Sequence, residues 1–323
     1  MNHPSPRFAV MACLLLGLSP NCALTAERKI TRGAYRGWAD TLTVGNALAE
    51  VVIVPEIGRV MQFRFAGTDE GPFWENEKLW GRPMPPKPWE TAHGSFGGDK
   101  TWPAPQSAWN WPPPDIFDAA PLAARILPDQ SVVLTSEVSP RFGIRTQRRV
   151  VLEAGKPTLR IETTYEKVTG DPVEVAVWII TQTKVPDAVF LPVPAGTKFP
   201  AGSTAQWGIP TQHFALTNGL ARFTRDPKEA HKIGNDAEQI VWVGPKEILR
   251  IDIARQADSH YPDDGCSVEV YSNQDPVPYV ELETLGPLRR LAIGDRLSAT
   301  NTYRLFRRQG VNALAEAERV LAP

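Results

Sequence analysis

Polar and apolar positions alternate with a period of two along much of this chain. In Thr158–Glu166, Leu159, Ile161, Thr163 and Tyr165 fall on one side, and Arg160, Glu162, Thr164 and Glu166 on the other. That pattern predicts a strand with one wet face. Val173–Thr181 is apolar on both faces, with Val175, Val177 and Ile179 on one and Ala176, Trp178 and Ile180 on the other. Such a strand belongs between two layers. Glu50–Val54 and Val60–Phe65 flank Pro55-Glu56-Ile57-Gly58, and Ala123–Leu127 and Ser131–Glu137 flank Pro128-Asp129-Gln130. Both read as hairpins. Further strands are expected at 239–243, 247–253, 267–272, 277–284 and 299–307. One helix is expected, at Asn312–Leu321, where Leu314, Ala317 and Leu321 share a face. No repeat, linker or shift in composition marks a boundary. Twelve or more short strands with one terminal helix predict an all-β antiparallel sandwich or barrel with large sheets, in a single domain over 27–323.

The first 26 residues are expected to lie outside that domain. Arg7 is followed by the apolar run Phe8–Leu18 and by small residues at Ala23 and Ala26. This is the layout of a secretory signal peptide cut after Ala26 or Ala23, and the run is too short to span a membrane. Pro20 and Asn21 before Cys22 fit a lipoprotein signal badly. A periplasmic or secreted destination follows. Cys13 and Cys22 would leave with the leader, so Cys266 would stand alone and the fold would rest on its core. Lys and Arg number 35 against 36 Asp and Glu, and only Arg7 lies in the leader. Near-neutral charge without a basic run argues against nucleic acid and anionic membrane as partners.

Residues 72–121 hold six of the ten tryptophans and eleven of the 31 prolines. Proline fixes φ and lacks an N–H, so this segment is expected to be an irregular loop without long helix or central strand. Indoles must still be packed. Two readings stand. The indoles of a stiff loop with His93, Asp99 and Lys100 among them form a sugar-binding surface, or they are core beneath a crossover. Trp102 and Trp178 are the candidates for stacking on a sugar. Asp99 and Lys100 are either a site pair or a loop salt bridge. Arg59 could hold a hydroxyl or carboxylate, with a plain surface role as the alternative.

In Tyr279-Val280-Glu281-Leu282-Glu283, a strand places Tyr279, Glu281 and Glu283 on one face. Two carboxylates so placed lie roughly 6–7 Å apart. Each raises the pKa of the other, which suits a general base. The alternative is an ordinary exposed face. His93, His213, His231 and His260 show no zinc spacing, and Asp263-Asp264 falls short of a calcium set. No Gly-x-Ser-x-Gly, phosphate loop or dinucleotide fingerprint is present. Neither metal nor cofactor is expected.

The run Tyr279–Pro287, then Leu291–Asp295 and Thr300–Leu305, resembles the C-terminal end of the aldose 1-epimerase (galactose mutarotase-like) superfamily. His93-Gly94 with Gly98-Asp99-Lys100-Thr101-Trp102 resembles its His-Gly…Asp-Lys…Trp segment, and Arg160–Val175 its strand–turn–strand. Gly97–Gln106 together with Val54–Val60 is similar to the DUF4380 family within that superfamily. The resemblance implies a β-supersandwich and a carbohydrate ligand, either a small sugar, uronic-acid-like sugars included, or a polymer. It implies Glu283 as the base that takes the anomeric proton and His93 as a substrate-binding group, with Glu281 beside the base. A second histidine, the ring-oxygen acid, should fall near Ala176–Ile180, where this chain has Ala-Val-Trp-Ile-Ile. Indole N–H does not titrate usefully. The acid is missing, or His93, Asp99 or His213 supplies it. The expected functions are a sugar epimerase or mutarotase, a non-catalytic glycan-binding module, or a structural envelope protein.

Overall fold

The computed structural model describes residues 1, 28–85, 94–208 and 212–322. Residues 2–26 of the expected leader, Trp89, His93 and residues 209–211 lie outside them.

Among the described residues two antiparallel sheets are formed. The first has eleven strands. Along it run Lys29–Tyr35, Trp38–Gly45, Ala49–Val54, Arg59–Phe65, Gly98–Ala104, Val173–Thr183, Val280–Leu285, Val268–Ser272, His231–Asn235 and Thr204–Trp207, with Arg289–Leu291 paired beside Val173–Thr183. The second sheet has ten strands, from Phe214–Thr217 at one edge to Ala123–Ile126 at the other, with Glu247–Asp252, Arg296–Arg307 and Thr158–Lys167 in its middle. The main core lies between the sheets, where Val60, Phe63, Val270 and Leu282 meet Leu134, Ile161, Leu249 and Tyr303. The nearly all-β content is what the alternation predicts, and of the sandwich and the barrel it left open the structure is the two-sheet sandwich that the resemblance implies.

Local chemistry explains individual elements. Pro55–Ile57 forms a 3-10 turn between Ala49–Val54 and Arg59–Phe65, and Gly58 closes it at φ 63°. A Cβ there would sit 2.7 Å from the Ala120 carbonyl, so glycine fits both the torsion and the space. Thr158–Lys167 buries Leu159, Ile161, Thr163 and Tyr165, as its alternation requires. Val173–Thr183 is buried on both faces from Val175 onward. The helix Ala313–Leu321 begins at Asn312, whose side chain accepts from the backbone N–H groups of Leu314 and Ala315.

The expectation for residues 72–121 needs correction. Gly98–Ala104 is a central strand, fully buried, between Arg59–Phe65 and Val173–Thr183. Pro103 is tolerated because its neighbour on one side has already diverged: Arg59–Phe65 pairs with this strand only at Val60 and Asp99. The Pro103 carbonyl is taken by Trp109 Nε1 at 2.6 Å rather than by a strand. An N–H and C=O on one strand residue point the same way, so the donor that proline lacks falls on the vacated side.

Candidate functional site

The strand Val280–Leu285 organises the site. Its register places Glu281 opposite Gln182 and Tyr271, and Glu283 opposite Ile180 and Glu269. Trp178 pairs with Trp102 one strand further out, and Lys232 with Tyr271 on the other side. Side chains alternate between faces, so Lys100, Trp102, Trp178, Gln182, Glu281, Glu283, Glu269, Tyr271 and Lys232 share the outer face. Asp99, Thr101, Thr181 and Leu282 point to the second sheet.

A cleft of about 320 Å³ opens on that outer face. Trp102, Trp111, Trp178 and Trp207 line it with Tyr271 and Tyr279, and its polar groups are Ser95, Gln106, Lys232, Glu281 and Glu283. The Trp102 and Trp178 rings meet edge to face, with centroids 5.3 Å apart. Both are nearly buried, whereas Trp111 and Trp207 are 62% and 66% exposed. Trp102, Trp109 and Trp178 belong to one buried apolar cluster, and Trp102 and Trp178 also line the cleft.

The carboxylates differ in surroundings. Glu283 Oε2 accepts from Trp178 Nε1 at 2.7 Å and lies 2.9 Å from Lys232 Nζ. The same Nζ lies 2.6 Å from Glu269 Oε2 and 4.4 Å from the Trp178 ring centroid. Burial alone would lower the Lys232 ammonium, but Glu269 and Glu283 outweigh it and hold it above its ordinary value. Burial pushes the Glu269 carboxyl well above the usual range, with Glu283 and Asp263 adding to the effect. Glu269 Oε1 has no hydrogen-bond partner among the described residues. Glu281 Oε1 accepts from Gln182 Nε2 at 3.0 Å. Burial, reinforced by Glu283, pushes Glu281 up to about 7, against the pull of Lys100, Lys232 and Gln182. Glu281 can therefore both give and take a proton near neutrality.

The expected residues separate into two groups. Trp102, Trp178, Glu281 and Glu283 converge on the cleft. Lys100 lies on the same face but does not line it: its Nζ sits 2.9 Å from Asp118 Oδ1 and 3.9 Å from the Trp102 ring centroid. Burial, then Arg59, lowers its pKa. Asp99 is not a cleft residue and does not pair with Lys100. It points to the second sheet, ion-paired to Arg148 and accepting from Thr181 at 2.7 Å and Tyr303 at 2.5 Å. Arg59 is neither a surface group nor a cleft group. It is fully buried, donating to Gly97 O at 2.8 Å and to Asp118 Oδ2 at 3.0 Å. His213 sits by Asp226 and Thr224, away from the cleft.

Asp118, Lys232, Glu269 and Trp207 are among the contributors not singled out in the sequence. Asp118, at the end of a four-residue helical turn, joins Arg59, Lys100 and the Trp102 indole, which donates to it at 2.8 Å. Glu269 and Lys232 reach the site only because Val268–Ser272 pairs with Val280–Leu285 and His231–Asn235 pairs with Val268–Ser272. Trp207 comes from the edge strand. Among the described residues no group of three or more His, Cys, Asp and Glu side chains is placed to hold a metal ion.

The chain belongs to the family described as Domain of unknown function (DUF4380), whose model matches residues 39–306. Its fold is similar to that of a galactose mutarotase-like protein from Lactobacillus casei, at 12% identity and TM-score 0.54, over 82% of this chain and 100% of that one. A galactose mutarotase-like protein from Clostridium acetobutylicum matches at 7% identity and TM-score 0.55, over 87% and 99%. A TPR-domain containing protein from Parabacteroides distasonis matches at 14% identity and TM-score 0.55, over 82% of this chain and 46% of that longer one. No curated protein matches the chain.

Proposed function

We propose that this protein binds a sugar in the tryptophan-lined cleft and interconverts its anomers. The observation that carries the reading is the meeting of Glu281 and Glu283 with the Trp102 and Trp178 indoles at one opening. Indoles suit the C–H faces of a pyranose, and carboxylates suit its hydroxyls.

Mutarotation needs a base at the anomeric hydroxyl and an acid at the ring oxygen. Glu283, at the position that resembles the family base, takes the O1 proton. Glu281 gives a proton to the ring oxygen as the C1–O5 bond breaks and the open-chain aldehyde forms. Reclosure on the other carbonyl face returns both protons. Glu281 thus takes the task of the histidine that Trp178 displaces, and its pKa of about 7 keeps it partly protonated at neutral pH. The leader pattern supports delivery to the periplasm or beyond, which mass determination of the exported chain tests through loss of residues 1–26.

A non-catalytic glycan-binding role is the second reading, favoured by the fixed pairing of Glu283 with Lys232 and Trp178. Titration of intrinsic tryptophan fluorescence with a panel of neutral hexoses tests the binding that both readings share. Saturable quenching that Trp102→Ala abolishes is expected. A flat response across the panel defeats both.

A further inference from the structure

A second cleft, of about 460 Å³, lies across an aromatic wall from the first. Trp74 and Tyr279 make the wall, with ring centroids 4.8 Å apart and planes 33° apart. Tyr279 faces the first cleft and Trp74 the second. Asn76, on the second side, donates to the carbonyl of Ser95, on the first, at 2.9 Å. Phe73 bridges to Thr183, and Trp74 N–H donates to Gln182 O at 2.9 Å. Trp74 therefore stands beside Gln182 and Glu281 on one sheet face, and the two clefts are neighbours along it.

The second cleft holds unmatched polar groups. The Glu75 side chain is only 8% exposed. Its Oε1 accepts from Tyr35 at 2.5 Å and Gln62 at 3.0 Å. Its Oε2 has no donor among the described residues, because Arg36 Nε is 3.8 Å away. Trp80 Nε1, also buried, has no acceptor there. The Arg36 guanidinium lies 4.4 Å over the Trp80 ring. Buried polar groups are normally paired, and an orphan acceptor and an orphan donor lining one cleft match hydroxyls, which do both. Glu70, Glu75 and Glu77 balance Arg36, Lys78 and Lys184 in the lining, so the cleft suits an uncharged ligand.

We infer that the two clefts are adjacent subsites of one groove, and that the natural ligand is a neutral oligosaccharide whose second ring rests against Trp74 and Trp80. This rests on the sugar-binding reading of the first cleft. The first subsite takes the reducing-end ring, and the chain runs out past the Trp74–Tyr279 wall.

Calorimetric titration with glucose, galactose, mannose and their β-1,4-linked di- and trisaccharides tests the inference. The matching disaccharide should bind at least about tenfold more tightly than its monosaccharide. Trp80→Phe, which keeps a ring but removes the N–H, and Glu75→Gln should each erase most of that gain while leaving monosaccharide binding unchanged. Equal affinity for mono- and disaccharides, or a gain that both variants retain, overturns the second subsite and leaves the first intact. No binding at any chain length overturns both.

Discussion

The Trp178 indole donates to Glu283 at 2.7 Å across two paired strands. The resemblance to mutarotases calls for a histidine near this position. The strand keeps the place but changes the chemistry: an indole N–H orients the carboxylate and exchanges no proton. Lys232 holds the same oxygen from the other side at 2.9 Å. Glu283 is thereby fixed between two donors, and Glu281, bonded to Gln182, is left as the group poised near neutrality.

Glu281 makes stability depend on pH. Its folded value of about 7 lies above the ordinary glutamate range, and burial is the main cause. Between that range and pH 7 the folded protein keeps a proton that the unfolded chain has released. Stability therefore falls as pH rises through this window and levels off above it. Glu281→Gln should flatten the fall and be more stable than the parent at pH 8, by on the order of 1–3 kcal/mol. Glu269, raised in the same direction, keeps a residual slope. Thermal melts from pH 4 to pH 8 measure both curves. Parallel curves would remove the raised carboxyl from the account.

Lys232 is the cation between Glu269 and Glu283. Lys232→Met leaves two buried carboxylates facing each other. A loss of about 3–5 kcal/mol is expected at pH 8. The loss should shrink at pH 5, where the carboxyls can take up protons instead. Urea denaturation at the two pH values reads the difference, and equal losses would contradict the placement.

Asp118 is shared by Arg59 and Lys100, both buried. Asp118→Asn strips the counter-charge from two cations and should cost about 3–5 kcal/mol. Lys100→Met leaves Arg59 paired and should cost clearly less. The order of the two denaturation midpoints is the test; a reversed order would contradict a shared carboxylate.

Much of the fold was legible because strands carry local periodicity. Leu159 to Tyr165 alternate, Val175 to Ile180 do not, and each pattern fixed a layer. Gly98–Ala104 escaped because Pro103 argues against a central strand unless one knows where the neighbouring strand diverges. Lys29–Tyr35 lies at a sheet edge and is largely exposed, so it carries little apolar signal. Of the site, Glu281, Glu283, Trp102 and Trp178 were legible from strand alternation and motif. Lys232, Glu269 and Asp118 were not, since nothing near them in sequence says which strands will lie side by side. Asp99 and Lys100 were read as a pair, yet adjacent strand residues face opposite ways, and their partners are Arg148 and Asp118.

Magnetisation-exchange NMR between the α and β anomers of a bound or free hexose measures the central claim most directly. The account predicts anomer exchange faster than buffer with the wild-type protein, lost in Glu283→Gln and reduced at least about tenfold in Glu281→Gln, with the Glu281 effect strongest at and below pH 7, where the acid holds its proton, and shrinking above it. Exchange no faster than buffer for every hexose that binds, or acceleration that survives both substitutions, would contradict it.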